Sequence, residues 1–253
     1  MRSPVRPLAA LAVWFVCSMS NAQVRPMTTT PTGGPGQLLT IEVWSDVVCP
    51  FCYIGKRELE NALAKFTHRD SVRVVWKSFE LDPNAPARSG ESTYTMLSRK
   101  YGMTLEQAVE RTRGVRERAA RLGLHYDFDK TVVGSSFDAH RLLQFAKTKG
   151  MGDAMKERLF KAYFTEGKHI ADRATLLALA TEVGLNVAEV EAVLTSGAFT
   201  AQVRADEEEA RQLGISGVPF FAFDRRFAVS GAQTADVFLR ALEQAWAART
   251  PSR

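Results

Sequence analysis

Apolar residues crowd first at 38–44, LLTIEVW, where branched side chains run almost without a polar break. Such a run suits a strand buried on both faces. The next segment, FCYIGKRELENALAKF, spaces Ile54, Leu59, Leu63 and Phe66 at roughly helical period. VRVVWKSFEL (72–81) reads as a second strand, ended by Pro83 and Pro86. From 92 to about 197 the pattern is helical almost throughout. Leu105, Ala108, Val109, Thr112, Val115, Ala119 and Leu122 recur on one face. FDAHRLLQFAKTKG, AMKERLFKAYFTEG and DRATLLALATEVG each read as a helix closed by glycine, the last with Asp172 as its N-cap. A further helix over 200–213 stops at Gly214. GVPFFAF (217–223), a turn at Asp224-Arg225-Arg226 and FAVSG (227–231) form a hairpin, with Phe221 and Phe223 on one face and Phe220 on the other. Thr234 is placed to cap a last helix reaching about Ala247.

Strand, helix, strand, a long helical block, then hairpin and helix is the order of an α/β domain interrupted by an all-helical insertion. The expected parts are 38–90, the insertion at 91–198, and a returning second part at 199–248. The two α/β pieces must rejoin in space, because a solitary strand–helix–strand cannot bury its sheet. Residues 23–37, rich in Pro, Gly and Thr, read as a disordered lead-in.

Residues 1–22 have a different pattern. Arg2 and Arg6 precede an uncharged stretch around LAALAVWFVCSMS, and Ser20-Asn21-Ala22 places small residues where a signal peptidase cuts. This predicts a secretory leader, and with it a periplasmic or secreted protein. The stretch is short for a spanning helix, which needs ~20 apolar residues, so no stable membrane span is expected in the mature chain. Translation from Met27 is the competing reading and would leave the protein in the cytoplasm. Either way Cys17 falls outside the folded domain.

Composition adds little. An apolar share of 45% and a charged share of 24% are those of an ordinary soluble globular chain. The net charge of +5 falls to +3 without Arg2 and Arg6, which gives no argument for nucleic acid. Arg111, Arg113, Arg116, Arg118 and Arg121 spread around more than half of a helix and read as a solvated surface.

The chemistry concentrates at Cys49-Pro50-Phe51-Cys52, directly behind the first strand. A Cys-x-x-Cys at a helix start brings two sulfurs within disulfide range. The unpaired N–H groups and partial positive charge of the helix end favour a thiolate on the first. Pro50 suits the first turn, where its missing N–H costs little. Cys49 is therefore expected to attack, with a depressed pKa, and Cys52 to resolve the mixed disulfide. A structural zinc site would need a second Cys/His pair, and haem attachment would need histidine where Tyr53 stands, so no metal or cofactor is expected beyond the redox-active disulfide itself. Val218-Pro219, at a strand start after Gly214 and Gly217, is a candidate cis peptide or an ordinary strand-start proline.

CPFCYIGK, FDAHRLL, DEEEARQLGISGVPFFAFD and AVSGAQ together resemble the DsbA-like thioredoxin superfamily, most closely its FrnE-type disulfide oxidoreductases. The resemblance runs over about 38–247. It implies an α/β, thioredoxin-like fold with an inserted all-helical domain, a cis bond at Pro219 beside the cysteines, and Val218 and Pro219 as substrate-binding backbone. It departs from the family pattern at Val43, where thioredoxins and DsbA proteins commonly carry a buried acid, while Glu42 should face the other side of the strand. Asp46 is the nearest acid in sequence, either a proton relay to Cys52 or a loop-capping residue. Phe51 stands where DsbA has histidine, so a less oxidising couple is expected, nearer ~−200 mV than ~−120 mV. His140 is either an auxiliary site residue or packing. The function expected is thiol–disulfide exchange with cysteine-containing proteins or peptides, coupled to an unidentified redox partner. The alternatives are a glutathione-dependent isomerase or transferase related to 2-hydroxychromene-2-carboxylate isomerase, and a non-catalytic peptide-binding chaperone module.

Overall fold

The computed structural model describes residues 24–33 and 36–249; the leader expected at 1–22 lies outside the described residues. At the centre is β2 (Leu39–Ser45), every residue of which is buried. It runs parallel to β3 (Val72–Ser78), with Val43 opposite Trp76, and antiparallel to β4 (Phe220–Phe223), with Val43 opposite Phe221. β4 pairs with β5 (Phe227–Ser230), and β5 with the short β1 (Arg25–Pro26), giving the order β1-β5-β4-β2-β3. Leu39, Ile41 and Val43 line one face of this enclosed strand, while Thr40 and Glu42 on the other are buried with Arg73 and Arg225 as partners.

Helix α1 (Pro50–Lys65) and the terminal α9 (Ala235–Ala247) cover one face. Leu39, Ile41 and Val43 meet Leu59, Phe221 and Phe238 there, and the Phe221 and Phe238 rings cross edge to face at 4.6 Å. Truncating such a phenylalanine to alanine typically costs about 3–5 kcal/mol. On the opposite face Trp44 and Phe220 pack near α8 (Thr200–Gln212), and Trp44 Nε1 donates to Asp206 O at 3.0 Å. Glu42 also points this way and pairs with Arg225, as the strand alternation requires.

Between β3 and α8 lies the helical insertion: α2 (Thr93–Tyr101), α3 (Leu105–Ala120), α4 (Phe137–Thr148), α5 (Gly152–Phe164), α6 (Arg173–Glu182) and α7 (Val187–Thr195). Asp172 caps α6 as expected, accepting from Thr175 N at 2.8 Å. The core of this block continues to Cys49 and Cys52 without a break. Tyr53 stacks on Phe160 at 4.8 Å, tying α1 to α5.

Several expectations are corrected. The lead-in is ordered over 24–33: β1 pairs with β5, Met27 N donates to Arg226 O at 2.8 Å and Thr32 N to Asp224 O at 3.0 Å. Its composition signalled disorder, but the open edge of β5 supplies the backbone partners. β3 stops at Ser78 rather than residue 81, because side chains take the next donors: Asp206 accepts from Ser78 N and Asp46 from Leu81 N, each at 2.8 Å. Residues 121–136 form no helix, and the α3 stripe is buried at Ala108, Thr112 and Ala119 while Leu105 and Val109 are exposed. Thr234 occupies the N-cap of α9 without capping it; Glu58 accepts from Ala235 N at 2.9 Å instead.

Candidate active site

β2 ends at Ser45, and the chain needs four residues to turn into α1. Asp46 organises that turn. Its Oδ1 accepts from Val48 N at 3.3 Å, its Oδ2 from Leu81 N at 2.8 Å, and its carbonyl from Cys49 N at 3.2 Å. Cys49 then takes the N-cap position with extended backbone, Pro50 follows at the first helical position, and Cys52 N donates to Cys49 O at 3.0 Å. Tyr126, from the loop after α3, donates its hydroxyl to Pro50 O at 2.8 Å and so fixes the helix start from above. The two cysteines thus lie in one turn, both as free thiols and both 1% exposed.

The loop before β4 closes over them. The Val218–Pro219 peptide is cis, and Val218 O lies 3.6 Å from Cys49 Sγ across 169 residues of sequence. Gly55, one turn into α1, permits this approach. A Cβ there would stand 3.0 Å from the Phe221 ring and 3.1 Å from Pro219 Cγ, so a side chain would push the loop away from the sulfurs.

The expected depressed pKa of Cys49 does not hold in this dithiol state. Burial pushes the Cys49 thiol well up, the neighbouring Cys52 thiol and the Asp46 carboxylate add to the rise, and the Cys52 backbone N–H works against it. The helix end is legible in the sequence, whereas the near-complete loss of solvent at the sulfur is not.

His140, on α4, is 1% exposed, and its Nε2 lies 3.2 Å from Asp46 Oδ1. Burial alone would raise the Asp46 carboxyl. The His140 contact, the Leu81 N–H and Ser136 outweigh it and hold the group below its ordinary value. Asp46 and His140 were separate candidates in the sequence, and the structure makes them a pair beneath the turn that carries Cys49. Phe51 is half-buried and packs against the core shared with the insertion.

Beside the turn a cavity of about 130 Å³ opens between α2, α3 and the 128–136 loop. Asp46, Val48 and Pro50 form its inner end, Met96, Leu97 and Met103 its apolar wall. Tyr101 lines it too, its hydroxyl pushed up by burial and by the nearby Cys49.

A paired Cys-x-x-Cys at the start of the first helix, facing a cis-proline loop, on a sheet of this order, defines a thioredoxin-like fold with a helical insertion. The DSBA-like thioredoxin domain matches residues 40–243, and the chain belongs to that family. It is 30% identical over 204 residues to the uncharacterized protein YwbO of Bacillus subtilis, an alignment spanning 80% of this chain and 94% of that one. The crystal structure of a probable DsbA oxidoreductase from Streptomyces coelicolor superposes with a TM-score of 0.81 at 46% identity, over 85% of this chain and 93% of that one. The cytosolic disulfide reductase DsbM from Pseudomonas aeruginosa shares the fold, with a TM-score of 0.57 at 22% identity over 83% and 100% of the respective chains.

Proposed function

We propose that this protein is a thiol–disulfide oxidoreductase that exchanges electrons between the Cys49–Cys52 pair and the cysteines of a protein or peptide. The observation that carries the reading is the placement of Cys49 Sγ at the α1 N-cap, 3.6 Å from Val218 O and one turn from Cys52. In the reducing direction Cys49, as thiolate, attacks a substrate disulfide. One substrate sulfur leaves, and a mixed disulfide joins Cys49 to the other. Cys52 then attacks Cys49 Sγ, expelling the second substrate sulfur and forming the Cys49–Cys52 disulfide. The oxidising direction reverses these steps.

The remaining residues divide the task. Val218 offers backbone groups to an extended substrate lying along the β4 entry, with Pro219 shaping that segment. Phe51 presents an apolar surface beside the attacking sulfur. Asp46 and His140 hold the turn and carry a proton near the dithiol. A first thiol pushed up by burial lacks the stabilised thiolate that makes a strong oxidant, so a couple less oxidising than that of DsbA fits best. Two cysteines within one turn favour this reading over a glutathione-dependent isomerase, which has no use for the second sulfur.

The test is reduction of insulin and oxidation of reduced ribonuclease by wild type, Cys49→Ser and Cys52→Ala. Wild type is expected to act, Cys49→Ser to be inactive, and Cys52→Ala to accumulate a mixed disulfide through Cys49. Equal trapping by Cys49→Ala and Cys52→Ala would refute the order of attack, and activity surviving loss of both cysteines would favour the chaperone reading.

A further inference from the structure

Thiol–disulfide exchange makes no use of the cavity beside the Asp46 turn, yet its wall is selective. Four of the polar side chains on that wall are already bonded within the protein. Asp46 is held by Leu81 N, Val48 N and His140. Thr93 bonds Thr131, Thr131 donates to Phe128 O at 2.9 Å, and Thr112 donates back to Val109 O of its own helix at 2.8 Å. Met96, Leu97 and Met103 are apolar and only half-buried. A guest gains by covering those three, and gains little from polar groups that have partners. The two unbranched methionines let the wall adjust to guests of different shape. The volume sets the size: an apolar cavity of about 150 Å³ admits one benzene ring, so one of about 130 Å³ admits a single ring or branched aliphatic side chain. The rim is cationic. Lys100 and Arg111 are exposed there, against the one exposed carboxylate of Asp82. The rim is also close to the attacking cysteine. Lys100 Nζ lies 3.4 Å from Leu81 O, Leu81 N donates to Asp46, and Val48 and Pro50, the chain neighbours of Cys49, form the inner end. A single residue, Leu81, thus joins rim to turn, and an extended peptide crosses roughly 10 Å in three residues.

We propose that this cavity is the specificity pocket for a polypeptide substrate: it takes one bulky apolar side chain lying within three residues of the reactive cysteine, in a segment that carries an acidic residue beside it. The proposal rests on the oxidoreductase reading and names the substrate class of that site, but its binding test needs no exchange. Backbone pairing at Val218 accepts any extended sequence, so preference among sequences has to come from a side-chain pocket. The α2–α3 cavity supplies it from the insertion, on elements that carry neither cysteine. The apolar side chain provides most of the affinity, because it leaves water for a wall of two methionines and a leucine. The rim selects by charge. Lys100 and Arg111 favour an acidic flank and oppose a basic one, an effect that is small at an exposed position and fades with salt.

The binding arm of the test uses the full chain with Cys49→Ala and Cys52→Ala, carbon-13 labelled at its methionine methyls. The probes are linear peptides with serine in place of cysteine, with Phe, Leu or Ala scanned over the three positions on either side and Glu or Lys next to the scanned residue. The Met96 and Met103 methyl signals, identified through Met96→Leu and Met103→Leu, are expected to shift with millimolar Phe and Leu peptides and to stay with the Ala peptides. The exchange arm uses wild type and the matching cysteine peptides as their disulfides with 2-mercaptoethanol. The kcat/KM of the best Phe peptide should exceed that of its Ala counterpart about tenfold or more, as burial of such a side chain requires. Glu should exceed Lys by up to about fivefold at low salt. Leu97→Trp fills the cavity and should erase the Phe preference. Lys100→Glu, at an exposed position, should reverse the Glu preference, and it keeps the question open to experiment should Leu97→Trp fail to fold. Methyl signals that ignore every peptide, or answer Ala as they answer Phe, overturn the pocket and leave the oxidoreductase reading standing. Signals that move with benzene but with no peptide overturn it too. Phe-dependent shifts in a protein that exchanges no disulfide uphold the pocket and refute the oxidoreductase reading alone.

Discussion

Removing the Asp46 carboxylate is the most informative single perturbation. In wild type it accepts from Leu81 N at 2.8 Å and Val48 N at 3.3 Å and meets His140 Nε2 at 3.2 Å, all in a site from which solvent is excluded. Asp46→Ala leaves the Leu81 N–H and the imidazole buried without an acceptor. Each such orphan costs about 1–3 kcal/mol. Asp46→Asn keeps one carbonyl acceptor and should lose only about 1–2 kcal/mol. In urea, with a slope of about 2 kcal/mol per M, the alanine midpoint should fall by roughly 2 M and the asparagine midpoint by less than half of that. The pH arm has a definite sign. The folded state holds this carboxyl below its ordinary value of 3.8, so the stabilisation is complete above 3.8 and is lost as pH falls through the lower folded value. The gap between wild type and Asp46→Asn should therefore close in acid. An alanine variant within about 1 kcal/mol of wild type at neutral pH, or a gap that ignores pH, would refute the account of the turn.

Two further outcomes are expected. Burial foremost, with Glu207 and Asp46 adding and Arg204 opposing, pushes Glu80 up from 4.5 to about 7; its favourable, protonated state is lost as pH rises through that window. Glu80→Gln should gain on wild type by about 1–3 kcal/mol in melts taken between acid and mildly alkaline pH, and parallel curves would contradict it. Arg141, 4% exposed, donates to Ala198 O at 2.9 Å and to the Val193 and Ser196 carbonyls. Arg141→Met should lower stability by about 3–5 kcal/mol by orphaning them, read by denaturation, and a loss under 1 kcal/mol would remove Arg141 from the supports of α7.

The sequence was most readable where a local pattern carries the signal. The apolar run at 38–44 marked β2 as a buried strand, and Pro50 behind Cys49 marked the start of α1. Period-two alternation sorted Phe220 from Phe221 and Phe223. What stayed hidden depends on contacts between distant segments. Nothing near Asp46 points to His140, 94 residues away, and nothing in AMKERLFKAYF separates buried Lys156 from exposed Lys161. Glu58 replaced Thr234 as the cap of α9 because α1 packs alongside, a fact of packing rather than of local sequence. The Cys49 titration was misjudged for the same reason: helix ends are local, burial is not. Gly55 had a signal, a glycine inside a helical pattern, whose reason emerged only with Pro219 in place.

The sequence separation of 169 from Cys49 to Val218 also sets an order of events at the ribosome. During synthesis the dithiol emerges first, followed by the whole helical block, and only then the segment that will shield it. For most of that time β2 has no β4 beside it, and Cys49 has no carbonyl over its sulfur. A chain halted before residue 218 would carry the complete CPFC motif on an unfinished sheet, with its reactive thiols open to whatever the surroundings supply. The segment that carries Val218 and β4 therefore closes the site as well as completing the sheet, and damage there should appear first as greater exposure of the two thiols.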